Sequence, residues 1–225
     1  MGELVTPFTV TAHLASPAVA TSPLLLDGIL YYGVGSQMGR EAGGCWVDPI
    51  DVYASALPLE IVETPAGWWW AASQALPVGT EGKTHTHRRT SPALLADWTS
   101  ERSLNRATGP DKSLRTPVFY RWQWRTIRWT AVGDPEAVGR LLAHVPAVGA
   151  RTTQGWGRVI SWDIESGGPP LEAYAKDLSL RHLPVGATRP DRRQVSRRNI
   201  PLRPPYRNRA DAVPCWQARA QRGEG

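Results

Sequence analysis

The chain has 225 residues, 41% of them hydrophobic, which is enough for a buried core and excludes global disorder. Its 21 glycines and 20 prolines argue for long loops and short elements rather than a helical bundle, and its two cysteines exclude a disulfide scaffold or an all-cysteine zinc site. The net charge of +6 is unevenly spread, at −6 over residues 1–80, +7 over 81–158 and +5 beyond, with 23 arginines to 3 lysines, a pattern that points to a polyanion and first to nucleic acid.

Residues 7–15 alternate, with Phe8, Val10, Ala12 and Leu14 on one face and Thr9, Thr11 and His13 on the other, which predicts a half-buried strand. Ser16-Pro17 predicts a turn. Ser22 as N-cap and Pro23 at the first helical position then open a helix whose stripe is Leu26, Ile29, Leu30 and Gly33 and whose stop is Gly39. Asp27, beside Gly28, reads as a structural hydrogen-bond acceptor. Ala18-Val19-Ala20 imitates a signal-peptidase site, but Glu3 and the strand-like alternation before it argue against a leader. Met1-Gly2 with Thr6 is too short a myristoylation match to carry weight, and a cytoplasmic protein is expected.

Leu57, Leu59 and Ile61 alternate into a second strand, and Trp68 to Ala75 forms a third after the turn at Pro65-Ala66-Gly67. Residues 79–116 lose all periodicity and gain charge. From Pro117 a long strand runs to Val132, with Val118, Tyr120, Trp122 and Trp124 on one face and Arg121 and Arg125 on the other. Ile127 and Trp129 break that parity, which predicts a bulge or break near Thr126. The tryptophans of both strands are expected mainly in the core.

Asp134-Pro135-Glu136 is an acid-capped helix start, Val138, Leu141, Leu142 and Val145 are its buried stripe, and Pro146 ends it. A glycine-rich loop, Gly149 to Arg158, leads to a last strand over Val159–Ile164. The order strand, helix, strand, strand, basic insertion, strand, helix, loop, strand is that of a βαββαβ, ferredoxin-like α+β fold. Its parts are a core at 1–78 and 117–166, a basic insertion at 79–116 and an extended Arg/Pro-rich C-terminal arm at 167–225. Between Arg181 and Arg209 that arm carries nine arginines and one acid, Asp191, and its prolines forbid a long helix. An RNA-binding or subunit-binding arm and a solvated tail both fit.

The loop is the leading chemical candidate. Its glycines would let backbone amides approach a ligand, Arg151 and Arg158 would neutralise phosphates, Thr152, Thr153 and Gln154 would donate to them, and Trp156 would stack a base. A tight helix-to-strand connection is the plainer reading of the same residues. The spacing of Gly149, Gly155 and Gly157, with no Lys-Ser/Thr following, excludes a nucleotide-hydrolysing P-loop. In and beside the insertion, Lys83, His85, His87, Arg88, Arg89 and Arg115, with Arg121 and Arg125 of the long strand, form a second candidate RNA surface. His85 and His87, at i and i+2, are the alternative as a catalytic pair. No Cys, Asp or Glu stands beside them at ligand spacing, so no metal is expected.

The glycine-rich loop before the last strand resembles the RAMP superfamily of CRISPR RNA-binding proteins. The run Phe8-Thr9-Val10 through Leu14 with Ser16-Pro17, then Leu25-Leu26-Asp27-Gly28-Ile29-Leu30, and the late Arg203-Pro204-Pro205-Tyr206, are similar to the Cas-five group of type IV CRISPR effector subunits. The resemblance implies a non-catalytic subunit without cofactor. Such a subunit holds the 5′ handle of the CRISPR RNA (crRNA), joins the large subunit to the backbone filament, and has target DNA near the PAM as a further partner. It assigns 79–116, by position, to a nucleic-acid-binding thumb. A RAMP endoribonuclease that processes precursor crRNA through His85 or His87, and a small RNA-binding protein outside any CRISPR system, are the alternatives.

Overall fold

The structure is a computed structural model that describes residues 6–18, 20, 23–44, 48, 57–78, 82–86, 119–150, 152–188, 190, 195–206 and 208–218, with backbone alone for 82–86, 119–123 and 209. It forms two compact units, one of residues 1–80 with 124–225 and one of residues 81–123. Helices and mostly antiparallel strands make an α+β protein. No helix among the described residues is long and apolar enough to cross a membrane.

In the larger unit the main sheet has the order β4-β6-β1-β7, where β1 is Thr6–Ala18, β4 Leu76–Pro77, β6 Phe119–Gly133 and β7 Val159–Ser166. Every neighbouring pair is antiparallel. The alternation of β1 holds for its apolar face, where Phe8, Val10, Ala12 and Leu14 are buried, but not for the whole of the polar one: Thr9 and His13 are half-buried as expected, while Thr11 is buried. Onto the apolar face pack α1 (Leu26–Glu41) and α2 (Pro135–Leu142), giving a core of Phe8, Val10, Leu26, Leu30, Ile127, Trp129, Val138 and Leu142. The two helices meet at Gly33, where a Cβ would lie 2.8 Å from the Leu141 carbonyl oxygen, so only glycine allows this approach. Asp134 caps α2 as predicted, its carboxylate accepting from the Glu136 and Ala137 amides at 2.9 and 3.1 Å.

Several boundaries differ from the sequence reading, each for a tertiary reason. Pro23 does not open the first helix. Leu24 and Leu25 are drawn out along residues 73–75, with Leu26 N–H donating to Ser73 O and Ala75 N–H to Leu24 O, so α1 starts at Leu26. It also runs through Gly39 to Glu41. Ser16-Pro17 is not a turn: β1 continues to Ala18, and its register with β6 slips between His13↔Thr126 and Ala18↔Trp124. The irregularity expected near Thr126 is therefore present, with its surplus residues on β1. The burial parity reverses after Leu59, leaving Ile61 exposed and Val62 buried, because the chain leaves the main sheet there for the hairpin of β2 (Ile61–Thr64) and β3 (Gly67–Trp70).

Residues 167–218, expected as an extended arm, run extended only within a folded layer. β8 (Leu183–Pro184), β9 (Val195–Pro201) and β10 (Ala212–Ala218) form a three-stranded sheet of order β8-β10-β9. It closes on a second core of Val62, Trp69, Val132, Tyr174, Leu183, Leu202 and Cys215. In the smaller unit, β5 (Gly82–Thr86) pairs antiparallel with residues 119–123 of β6.

Candidate nucleic-acid interface

The loop after α2 has a fixed neck and an open tip. Ala147 bridges to Arg158, Val148 N–H donates to Gly157 O at 2.9 Å, and Val159 N–H donates to Pro146 O at 2.9 Å. The irregular end of β1 clamps the neck from the side. Ser16 Oγ donates to Gly155 O at 2.6 Å and accepts from Arg158 N–H at 3.0 Å, while Gly157 N–H donates to Pro17 O at 3.0 Å. Gly157 is held at φ +67°, and a Cβ there would lie 1.8 Å from Val148 O, so this position tolerates no side chain. Gly155, at φ +84°, has open space around it.

These bonds correct one expectation. The amides of Gly155 and Gly157 are not presented to a ligand: the first closes a turn on Thr152 O at 2.9 Å and the second is taken by Pro17. The tip that remains is Thr152, Thr153 and Gln154, a single 3₁₀ turn, all exposed together with Arg158, and Trp156 is half-buried behind it. Hydroxyls, a carboxamide, a guanidinium and an indole therefore stand at one edge of the fold, a set suited to phosphate oxygens and a stacked base. Gly149, at φ +91°, turns the chain into the loop, and Arg151 lies outside the described residues.

The second candidate set is only partly described. Lys83 and His85 are on β5, opposite Trp122 and Tyr120, and Arg121 is opposite Thr84. Arg125 is exposed on β6. His87, Arg88, Arg89 and Arg115 lie outside the described residues. Of the tryptophans, Trp69, Trp70 and Trp129 are core, as expected, and Trp68 lies under the Arg203 guanidinium at 4.0 Å from its ring centroid.

Two constellations were not legible beforehand. On the solvent face of the main sheet His13 Nε2 lies 2.8 Å from Asp163 Oδ2, both half exposed. Each residue sits at a polar position of an alternating strand, but only the β1–β7 pairing brings them together. The other is buried. Arg181, fully enclosed, donates to Trp70 O (2.6 Å), Ala72 O (3.3 Å), Leu202 O (2.8 Å), Tyr206 Oη (3.3 Å) and Asp27 Oδ2 (3.4 Å). Tyr206 in turn donates to Asp27 Oδ2 at 2.7 Å, and Gly28 N–H to Asp27 Oδ1 at 2.9 Å. Burial pushes the Asp27 carboxyl up against the pull of Arg181 and these hydrogen bonds. Burial also opposes the Arg181 charge, which Tyr206 and Asp27 outweigh. Next to it, burial and the Arg181 charge lower the His182 imidazole to about 3, so it is neutral and donates from Nε2 to Pro201 O at 3.1 Å.

This junction explains two of the sequence patches. Leu26-Asp27-Gly28 and Arg203-Pro204-Pro205-Tyr206 meet each other: a Cβ on Gly28 would touch the Tyr206 ring at 3.2 Å. Asp27 is the structural acceptor it was read as, and Arg181 belongs to the core rather than to a solvated or RNA-binding stretch. Among the described residues no three His, Cys, Asp or Glu side chains gather as a metal site.

The family model described as CRISPR type IV associated protein Csf3 matches residues 6–217, nearly the whole chain. No curated protein matches. The chain belongs to this family and is a type IV CRISPR effector subunit.

Proposed function

We propose that this subunit is a non-catalytic RNA-binding protein that holds the 5′ handle of the crRNA through the tip of the 149–158 loop and links the large subunit to the backbone filament. The observation that carries the reading is the division of that loop. Its neck is locked by Ser16, Pro17 and Gly157, and its tip offers Thr152, Thr153, Gln154 and Arg158 to solvent beside Trp156. A rigid base under an exposed polar tip lets donors meet phosphates with little ordering cost on binding. The sheet order β4-β6-β1-β7 with α1 and α2 supports a ferredoxin-like RAMP core: in chain order its strands stand second, third, first and fourth. The insertion at 79–116, with Lys83, His85, His87, Arg88, Arg89 and Arg115, is a nucleic-acid-binding thumb in its own right, with Arg121 and Arg125 on the strand that follows it. Target DNA near the PAM is a further partner of the complex.

Titration of handle RNA against the reconstituted complex at several salt concentrations tests this. Arg158→Ala is expected to weaken binding and lower the slope of log K against log salt by about 0.7, one phosphate contact on a single strand. Trp156→Ala is expected to cost about 1–3 kcal/mol of binding with the slope unchanged. Precursor RNA incubated with the complex in EDTA should remain uncut. Wild-type affinity and slope in both variants would overturn the reading.

A further inference from the structure

The β9–β10 ribbon carries a charged surface that the handle reading does not use. Neither strand contains an acidic residue, Val195–Pro201 being VSRRNIP and Ala212–Ala218 being AVPCWQA. The register sets Arg197 opposite Trp216 and Asn199 opposite Pro214, so these four share one face. Ile200, Val213 and Cys215 pack into the second core from the other face. Arg197, Arg198, Asn199 and Pro214 are exposed and Trp216 is half-buried. Neither arginine has a carboxylate partner among the described residues, although the chain carries 20 acids. Arg198, opposite Cys215, alternates to the other face, but β9 is the edge of its sheet and Arg198 is exposed there, so a partner that approaches along the edge can reach both arginines.

We infer that the outer face of the β9–β10 ribbon, together with the free edge beside it, is a second nucleic-acid contact, which takes the sugar-phosphate backbone of a strand on Arg197 of that face and Arg198 of the edge and stacks a base on Trp216. Three properties favour a nucleic acid over a protein partner. The charge is of one sign and has no carboxylate partner among the described residues. It is carried by guanidiniums, whose planar forks match phosphate oxygens. An indole and a carboxamide, Trp216 and Asn199, share the face, which is the composition of sites that track a phosphate backbone and stack bases. This contact has its residues in the three-stranded sheet, whereas the glycine-rich loop leads into β7 of the main one. It does not depend on the handle assignment.

The test uses the full-length chain with three fluorescent probes lacking the handle sequence: a 20-nucleotide oligouridine, a 20-nucleotide oligothymidine and a 20-base-pair DNA duplex, each titrated by anisotropy at several salt concentrations. Arg197→Gln with Arg198→Gln should weaken binding on the order of tenfold at about 0.1 M salt and lower the salt slope by about 1.4 on single strands or about 1.8 on the duplex. Trp216→Leu should weaken single-strand binding about tenfold and leave the slope in place. Since Trp216 also packs within the sheet, Asn199→Ala and the arginine pair, both at exposed positions, keep the test independent of folding, and unchanged melting temperatures confirm it. The probe that suffers the larger loss identifies RNA or DNA as the source of the strand. Unchanged affinity and slope for all three probes overturn the proposal, as does lost affinity with the wild-type salt slope in the arginine variant. Loss of oligouridine binding here with intact handle binding, or the reverse for Arg158→Ala, separates this contact from the handle site.

Discussion

The Arg181 junction and the 149–158 loop are built from similar parts, an arginine, hydroxyl groups and glycine, yet the fold uses them in opposite ways. At the junction the guanidinium is enclosed, and three backbone carbonyls, a phenol and a carboxylate meet it. In the loop, Arg158 stays in solvent while its backbone does the structural work, donating to Ser16 Oγ and accepting from Ala15 N–H. Both regions contain residues that carry a family resemblance, the loop to the RAMP superfamily and the junction to type IV CRISPR subunits, so recognisability alone does not mark a binding site. Burial separates them: a charge held in the core organises the fold, and a charge left in water remains available to a ligand.

The largest expected effect breaks the junction. Arg181→Met leaves Asp27 buried without its counter-charge and three carbonyls without a donor, and should cost about 3–5 kcal/mol of unfolding free energy in denaturant titrations. Loss of less than 1 kcal/mol would show that the C-terminal layer does not depend on this contact. The loop should break at its neck before its tip. Gly157→Ala places a Cβ against Val148 O at positive φ and should cost about 3 kcal/mol, whereas Gly155→Ala, in open space, should cost about 1–2 kcal/mol for its backbone conformation alone. Equal costs would mean that the neck is no more constrained than the tip.

A smaller effect comes from pH. His182 titrates near 6.5 when unfolded and at about 3 in the folded chain, so below 6.5 the unfolded state binds the extra proton. Stability should therefore fall as the pH drops from 6.5 towards 3, by about 2 kcal/mol at pH 5. His182→Gln, which can still donate to Pro201 O, should flatten that part of the stability curve. An unchanged pH profile would place the imidazole in contact with water.

Local pattern was sufficient wherever one face of one element decided the outcome. The alternation of Phe8, Val10, Ala12 and Leu14, the Asp134-Pro135 cap and the Val138–Leu142 stripe need no knowledge of a neighbour, because strand and helix periodicities define which side chains can share a face. The glycine-rich loop was legible by composition, but the use of its amides was not. Gly155 and Gly157 hydrogen-bond inward because β1 overruns Ser16-Pro17 and lies beside them, a contact across some 140 residues of sequence. The same reason hid the start of α1, which residues 73–75 delay to Leu26.

The C-terminal arginines show where sequence stops. Their number and their prolines indicated an extended, basic segment, and that much follows from covalent geometry and charge. Which arginine is buried and which is exposed depends on where the chain finds carbonyls and a carboxylate to satisfy a guanidinium. Arg181 finds them on β3, on the residues after it and on α1, while Arg197 and Arg198 are exposed on an edge strand, with no carboxylate partner among the described residues. Composition set the sign of the surface, and packing decided which charges remained part of it.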